Sequence, residues 1–309
     1  MRNLFSALSL ASLLALAAFV PAASASTQSL SSAKVVIIVG PVEGSTPTYI
    51  ADANSTAAVA RQYSSNVVTI YSPYATWANV EPALQGASIV VYFGHGNGWP
   101  SKYTPFQENT KDGIGLNAVS HAGDANVKYY GANDLKAYVK LAPNAVVLLG
   151  HLCYSAGNSE SGDPAPTLAV AEQRVDNMGA GWLQTGARAV ISEPYSNVEG
   201  WYIQNLFTSF QTIGDMWQAA PNDNNNITTL SSARTSWATV QLDPNPGIPA
   251  TENDHFSRGI SGDMTLFSGA VVGSSVPSPY GKVSLGQPGS SGRSAASTIQ
   301  VRVLQVHLR

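Results

Sequence analysis

Two residues of this chain stand out because their types and positions suit chemistry on an acyl group. Cys153 is the only cysteine among 309 residues, and His95 lies about sixty residues before it, between two glycines. A cysteine thiolate can attack a carbonyl carbon, and a histidine can carry the proton that a leaving amine needs. The pair therefore predicts a cysteine nucleophile assisted by a histidine, with a buried and inert cysteine as the alternative interpretation.

Each candidate follows a short apolar segment with the pattern of a buried strand. Residues 87–93 end two positions before His95, and residues 145–149 run almost directly into Cys153. The carboxyl ends of parallel strands meet at one edge of a sheet, which is where such sheets bind ligands. If these two strands are neighbours, we expect His95 and Cys153 to emerge at the same edge.

The elements around these segments alternate between strand and helix. Uniformly apolar strands that alternate with helices are typical of an α/β fold in which helices cover both faces of a parallel sheet. The predicted strands are 34–40, 67–71, 87–93, 145–149 and 187–192, and the predicted helices are 46–63, 77–84, 133–141, 168–185 and 198–219.

Other segments are less regular. Residues 97–132 form a long connection, which we expect to be functional or to contain its own hairpin. Residues 229–240 fit a helix or an edge strand, and residues 256–272 fit a strand pair. From residue 274 to 309, Gly, Ser and Pro predominate, which predicts a low-complexity and mostly disordered tail.

A strand ending in His-Gly, followed after an intervening helix by a strand ending in Cys, resembles the caspase-like cysteine peptidases. That superfamily includes caspases, gingipains, legumain, separase and bacterial CHAT-domain proteases. Residues 179–192, GAGWLQTGARAVIS, resemble its next helix and strand, where an LLxxGAxxVI phrase recurs. The resemblance covers roughly residues 34–220. It implies a three-layer sandwich with a mostly parallel central sheet and helices on both faces.

The resemblance also implies a role for individual positions. Cys153 would be the nucleophile, His95 would protonate the leaving amine, and Gly96 would help to bind the oxyanion. The backbone N–H of Cys153 is the second oxyanion donor that we expect. The caspase phrase Gln-Ala-Cys-x-Gly is absent, so a preference for aspartate is not implied.

His151 lies two residues before Cys153, so both side chains would face the same way on an extended strand. It could tune the thiol, hydrogen bond at the strand end, or join Cys153 and His95 as a zinc ligand. No C-x-x-C or H-E-x-x-H spacing supports the zinc interpretation. We expect no cofactor, and the sequence leaves open a structural calcium ion in the Asn- and Asp-rich loops.

Acidic residues follow the two central strand ends. Glu160 and Asp163 come soon after Cys153, and Glu193 comes just past the strand 187–192. A pocket lined by them would favour a basic residue before the scissile bond, through charge-assisted hydrogen bonds. Solvated loop carboxylates are the alternative.

The amino-terminal sequence predicts export. Arg2 precedes an apolar run over residues 4–20, and Ala23-Ser24-Ala25 fits a signal-peptidase site. We therefore predict a signal peptide over residues 1–25, an α/β domain over 26–273 and the low-complexity tail over 274–309. No later apolar run is long enough to predict a membrane span in the mature chain.

Charge and motifs together narrow the function. The net charge is −3 and no Lys/Arg cluster is present, which argues against nucleic acid or anionic lipid as the main partner. The sequence favours a secreted cysteine endopeptidase acting on peptide or protein substrates through a His95/Cys153 dyad. The alternatives are a catalytically inactive binding or surface protein with the same fold, and a metal-dependent hydrolase. The sequence does not indicate the oligomeric state.

Overall fold

The computed structural model describes residues 30–107, 109–123 and 125–273 of the chain. The predicted signal peptide, 1–25, and the predicted tail, 274–309, lie outside the described residues. Among the described residues, no helix has the length and apolar character needed to cross a membrane.

The secondary structure alternates as the sequence predicts over most of its length. The strands are β1 (Val35–Val39), β2 (Val67–Tyr71), β3 (Ile89–Phe93), β4 (Ile114–Asn117), β5 (Val127–Tyr130), β6 (Ala145–Gly150), β7 (Ala187–Glu193), β8 (Thr228–Ser231), β9 (Thr239–Leu242) and β10 (Gly259–Gly262). The helices are α1 (Thr46–Tyr63), α2 (Trp77–Leu84), α3 (Ala132–Tyr138), α4 (Leu168–Leu183), α5 (Glu199–Thr208), α6 (Ile213–Gln218) and α7 (Ser268–Val272).

The central sheet has eight strands in the order β2-β1-β3-β6-β7-β10-β9-β8. The five strands β2, β1, β3, β6 and β7 pair in parallel. The strands β10, β9 and β8 extend the sheet with antiparallel pairs. The predicted fold class, an α/β sandwich with a mostly parallel sheet, is confirmed.

Helices cover both faces of this sheet because successive strand residues point to opposite sides. Ile37 and Val91 belong to one core cluster, which is completed by α1, α5, α6 and α7. Their neighbours Ile38 and Val90 belong to a second cluster, completed by α2, α3 and α4. The strands β1, β3 and β6 are apolar throughout because each buries both of its faces.

Two sequence predictions about the second half of the chain need correction, and a third is refined. The predicted helix 198–219 is two helices, α5 and α6, and Thr212 begins the second by accepting a hydrogen bond from the Asp215 N–H. Of the two alternatives for the segment 229–240, the edge strand is found: β8 is the last strand of the sheet, and β9 beside it begins within the same segment. The segment 256–272 holds one strand, β10, and the helix α7, because β10 pairs with β7 and β9 and not with a local partner.

The long connection 97–132 contains a hairpin formed by β4 and β5. A hairpin was one of the two alternatives predicted for this connection. Tyr130 of the hairpin stacks on Trp77 of α2 with ring centroids 4.4 Å apart. The hairpin is therefore packed on the α2 side of the sheet, close to the end of β3.

Candidate active site

The sheet brings the ends of β3 and β6 together. These strands are parallel neighbours, and their register pairs Phe93 with Gly150. His95 and Cys153 both follow these paired residues closely, so both lie at the same edge of the sheet. Each side chain is partly exposed.

Gly96 joins the two segments. A Cβ placed on Gly96 would overlap the carbonyl oxygen of Cys153 and lie 2.9 Å from the Leu152 Cγ. Only glycine lets the backbone after His95 approach the backbone of the cysteine this closely. The Gly96 peptide is therefore within the immediate surroundings of Cys153.

The side chain of Tyr92 contacts the backbone of both His95 and Gly115. Its fully buried hydroxyl accepts a hydrogen bond from the Gly115 N–H at 3.1 Å. The same hydroxyl lies 2.6 Å from the Gly115 carbonyl and 3.2 Å from the His95 carbonyl, and it can donate to either oxygen. Tyr92 thus ties the end of β3 to the hairpin strand β4.

The electrostatic environment keeps both candidate residues neutral. Burial raises the pKa of the Cys153 thiol to about 11, and the carboxylates of Glu160 and Asp163 add to the increase, while Lys102 opposes it. Burial lowers the pKa of His95, although Glu43 and Glu160 act in the opposite direction. Both shifts favour the uncharged forms, a thiol at Cys153 and a neutral imidazole at His95, at neutral pH.

Arg174 of α4 holds the segments on both sides of the site. Its guanidinium Nη1 donates to the carbonyls of Gly157 and Asn158 at 3.0 and 2.9 Å, and its Nε donates to the Pro100 carbonyl at 2.7 Å. No motif in the sequence singles out this residue. Its one local signal is an arginine within a helix whose neighbouring positions are mostly buried.

Glu160 and Asp163 lie near the thiol, but a lysine already pairs with both. Lys102 Nζ is 2.9 Å from Glu160 Oε2 and 3.0 Å from Asp163 Oδ2. The Tyr103 hydroxyl also donates to Glu160 at 2.9 Å. Asn253 donates to the carbonyl oxygens of residues 160 and 163, so the backbone of this acidic loop is anchored independently of the lysine.

Glu193 does not line the rim of the site, and that prediction is wrong. Its side chain is 1% exposed and accepts hydrogen bonds from the hydroxyl of Tyr202 and the amide of Asn222, both at 2.7 Å. Arg258 Nε lies 3.6 Å from it. The carboxylate is buried because these partners, which come from later segments, surround it.

The prediction that His151 and Cys153 lie on one extended strand is wrong. Strand β6 ends at Gly150, and His151 has a left-handed backbone with a φ of 57°. Its Nε2 lies 3.1 Å from Asp52 Oδ2, and its ring stacks on Tyr49 with centroids 4.4 Å apart. The histidine is thus tied to α1.

Within the part of the chain that the structure describes, no three His, Cys, Asp or Glu side chains come close enough together to hold a metal ion. His95, His151 and Cys153 therefore do not form the zinc site that was one interpretation of His151.

Comparisons with known proteins find little. No known family model matches the chain, and no curated protein matches its sequence. One similar solved structure is a protease. It is a secreted C11 cysteine protease from Bacteroides thetaiotaomicron named iotapain, with 10% identity and a TM-score of 0.30 over 69% of this chain. This chain spans 66% of that protein's length.

A second solved structure is an aspartate aminotransferase from Rhodobacter sphaeroides, with 11% identity and a TM-score of 0.23. The match covers 79% of this chain and 69% of that one. Similarities this low carry no functional argument, which must come from the geometry of the site.

Proposed function

We propose that the protein is a secreted cysteine endopeptidase in which His95 and Cys153 form the catalytic dyad. The observation that carries the proposal is the register of β3 with β6, which sets the two residues at one sheet edge. The predicted signal peptide supports export. Peptides or proteins are the proposed substrates.

In the proposed reaction, neutral His95 takes the proton of the Cys153 thiol as the sulfur attacks the carbonyl carbon of the substrate. The N–H groups of Gly96 and Cys153 stabilise the negative oxygen. His95 then gives its proton to the leaving nitrogen, and the C–N bond breaks to leave a thioester on Cys153. Water, deprotonated by His95, hydrolyses the thioester and restores the thiol.

We propose that Glu160 and Asp163 bind a basic side chain before the scissile bond. Both carboxylates lie within electrostatic range of the thiol, since both raise the pKa of Cys153. Lys102 occupies them in the free protein. A substrate arginine or lysine would take its place, and exposed ion pairs of this kind exchange at little cost.

Substitution of the dyad tests the proposal. Cys153→Ala should abolish cleavage of a peptide library, and His95→Ala should reduce kcat/KM by about 10²–10⁴-fold, since proton transfer to the leaving amine is lost. His151→Ala is the matched control and should cost much less, because that histidine pairs with Asp52. Cleavage that survives Cys153→Ala would contradict the proposal.

One observation favours a second function, that of a binding protein without peptidase activity. The thiol pKa of about 11 leaves very little thiolate in the free protein. A peptidyl acyloxymethyl ketone separates the two functions, since it alkylates a cysteine that is activated with the peptide bound. Labelling of Cys153 by this reagent favours the peptidase, and absence of labelling together with absence of cleavage favours the binding protein.

A further inference from the structure

A shallow depression of about 560 Å³ lies at the carboxyl edge of the sheet, beyond the end of β2. Its apolar lining comes from Pro47 and Ile50 on α1 and from Pro73 after β2, and His121 of the β4–β5 connection also borders it. The dyad mechanism uses none of these residues.

The order of the strands places this depression relative to the dyad. Moving along the sheet edge, Cys153 follows β6, His95 follows β3, and then come the ends of β1 and β2. The depression is therefore on the side of His95 that faces away from Cys153.

Strand β4 shows how far the depression is from His95. A Cβ placed on Gly115 would lie 3.2 Å from the His95 Cβ. Two residues further along, the Asn117 amide donates to the Ser72 hydroxyl at 3.1 Å, and Ser72 borders the depression. Two extended residues span roughly 6.6 Å. An extended peptide that starts at His95 would therefore reach the depression with its first or second side chain.

We propose that this depression binds an apolar side chain at the first or second residue of the peptide fragment that leaves when the bond is cut. The inference rests on the peptidase function proposed above. His95 protonates the nitrogen of that fragment, so the fragment begins at His95 and extends away from Cys153. The exposed carboxylate of Glu43 favours positive charge at His95 and suits the new amino group of the leaving fragment.

Transfer of an acyl group to an added amine isolates this subsite. An N-acyl arginine ethyl ester forms the Cys153 thioester without any leaving peptide. The corresponding leucine and aspartate esters are tested as alternative acyl donors. A dipeptide amide then attacks the thioester: the N–C bond forms, the C–S bond breaks, and the amine proton passes through His95 to the sulfur. The ratio of aminolysis to hydrolysis measures how well the dipeptide amide is bound.

We expect Leu-Gly amide or Gly-Leu amide to capture the acyl group about five- to tenfold better than Gly-Gly amide, as partial burial of a leucine side chain predicts. Ile50→Trp, which fills the depression, should remove this preference and leave ester hydrolysis unchanged. Ala51→Trp is the matched control on the same helix, at an exposed position, and should keep the preference. If Ile50→Trp lowers Tm markedly, Pro47→Trp replaces it, because Pro47 is an exposed residue of the same apolar lining.

The outcomes separate the two proposals. Ester turnover that depends on Cys153 but shows equal capture of all three amides would overturn the subsite while leaving the peptidase intact. A leucine preference that persists in the depression variant would also overturn it. Failure of every ester to turn over would overturn the peptidase function and the subsite with it.

Discussion

Around Cys153, burial removes water from the thiol, and the carboxylates of Glu160 and Asp163 add negative potential. Both effects disfavour the thiolate, whereas the charge of Lys102 favours it. Burial also favours the neutral form of His95. The proposed nucleophile is therefore generated during attack and does not exist beforehand as an ion pair.

The rate of alkylation of Cys153 by iodoacetamide should accordingly be low at pH 8 and should rise with pH, with a midpoint near 11. Mass spectrometry of the alkylated protein measures this rate. The combined variant Glu160→Gln/Asp163→Asn should shift the midpoint down, because two negative charges are removed. Lys102→Met should shift it up. A midpoint near 8.5, the value of an ordinary cysteine, would contradict this account.

The pH dependence of kcat/KM follows from the same two groups. Since the pKa of His95 is lowered, protonation of the base should reduce activity only below pH 6.5. Since the thiol pKa is raised to about 11, the alkaline decline should lie near that value. A stopped assay from pH 4 to pH 11.5 measures both limbs, and an acid limb above pH 6.5 would contradict the neutral-pair arrangement.

At the scale of elements, the site depends on how the loops after β3 and β6 are held. Both loops lack regular structure where they approach each other, and Arg174 of α4 donates to carbonyls of each. Its ring partner is Tyr154, whose ring centroid lies 4.8 Å from the guanidinium carbon. The helix α4 therefore ties the loop after β3 to the loop after β6 through Arg174, and Asn177 of the same helix also donates to the Trp99 carbonyl at 2.9 Å.

Arg174→Met should reduce kcat/KM by about tenfold or more, because small misplacements of reacting groups are costly. The loss should fall mainly on kcat, and the thiol midpoint in iodoacetamide titration should also change. Arg188→Met is the matched control, since Arg188 pairs with Asp263 at 2.6 Å and stacks on Trp237 away from the site. Equal effects of the two variants would show that Arg174 has no positioning role.

At the scale of the whole molecule, a buried arginine reinforces the junction at which the antiparallel strands pair with β7. Arg258 has no exposed side-chain surface and pairs with Asp243, with Asp223 at 2.8 Å and with Glu193 at 3.6 Å. It also lies over the Trp217 ring, 4.5 Å from its centroid. This cluster connects β7, β9, β10 and α6.

Arg258→Met should destabilise the protein by about 3–5 kcal/mol, because it leaves buried carboxylates without a cation. Urea unfolding followed by circular dichroism measures the loss. The combined variant Arg258→Met/Glu193→Gln/Asp243→Asn should recover part of the stability, since the uncompensated charges are removed. A loss below about 1 kcal/mol, typical of exposed pairs, would contradict the buried network.

The sequence by itself determined most of the framework. The bounds of α1, α2 and β2 agree with the sequence prediction because they depend on local signals: apolar periodicity, Pro47 in the first turn of α1, and Pro73 after β2. It also placed His95 and Cys153 after strands, since a strand end is marked by the same local pattern.

Only the tertiary structure decided which polar residues are buried and what they contact. Glu193 looked like a rim residue because its partner Arg258 lies 65 positions later in the chain, and no local pattern reveals such a pairing. Likewise His151 pairs with Asp52, which is 99 residues away, and the acidic pair binds Lys102 from a different loop. Local propensity sets strands and helices, whereas the environment of a charged side chain is set by segments that meet only when the chain has folded.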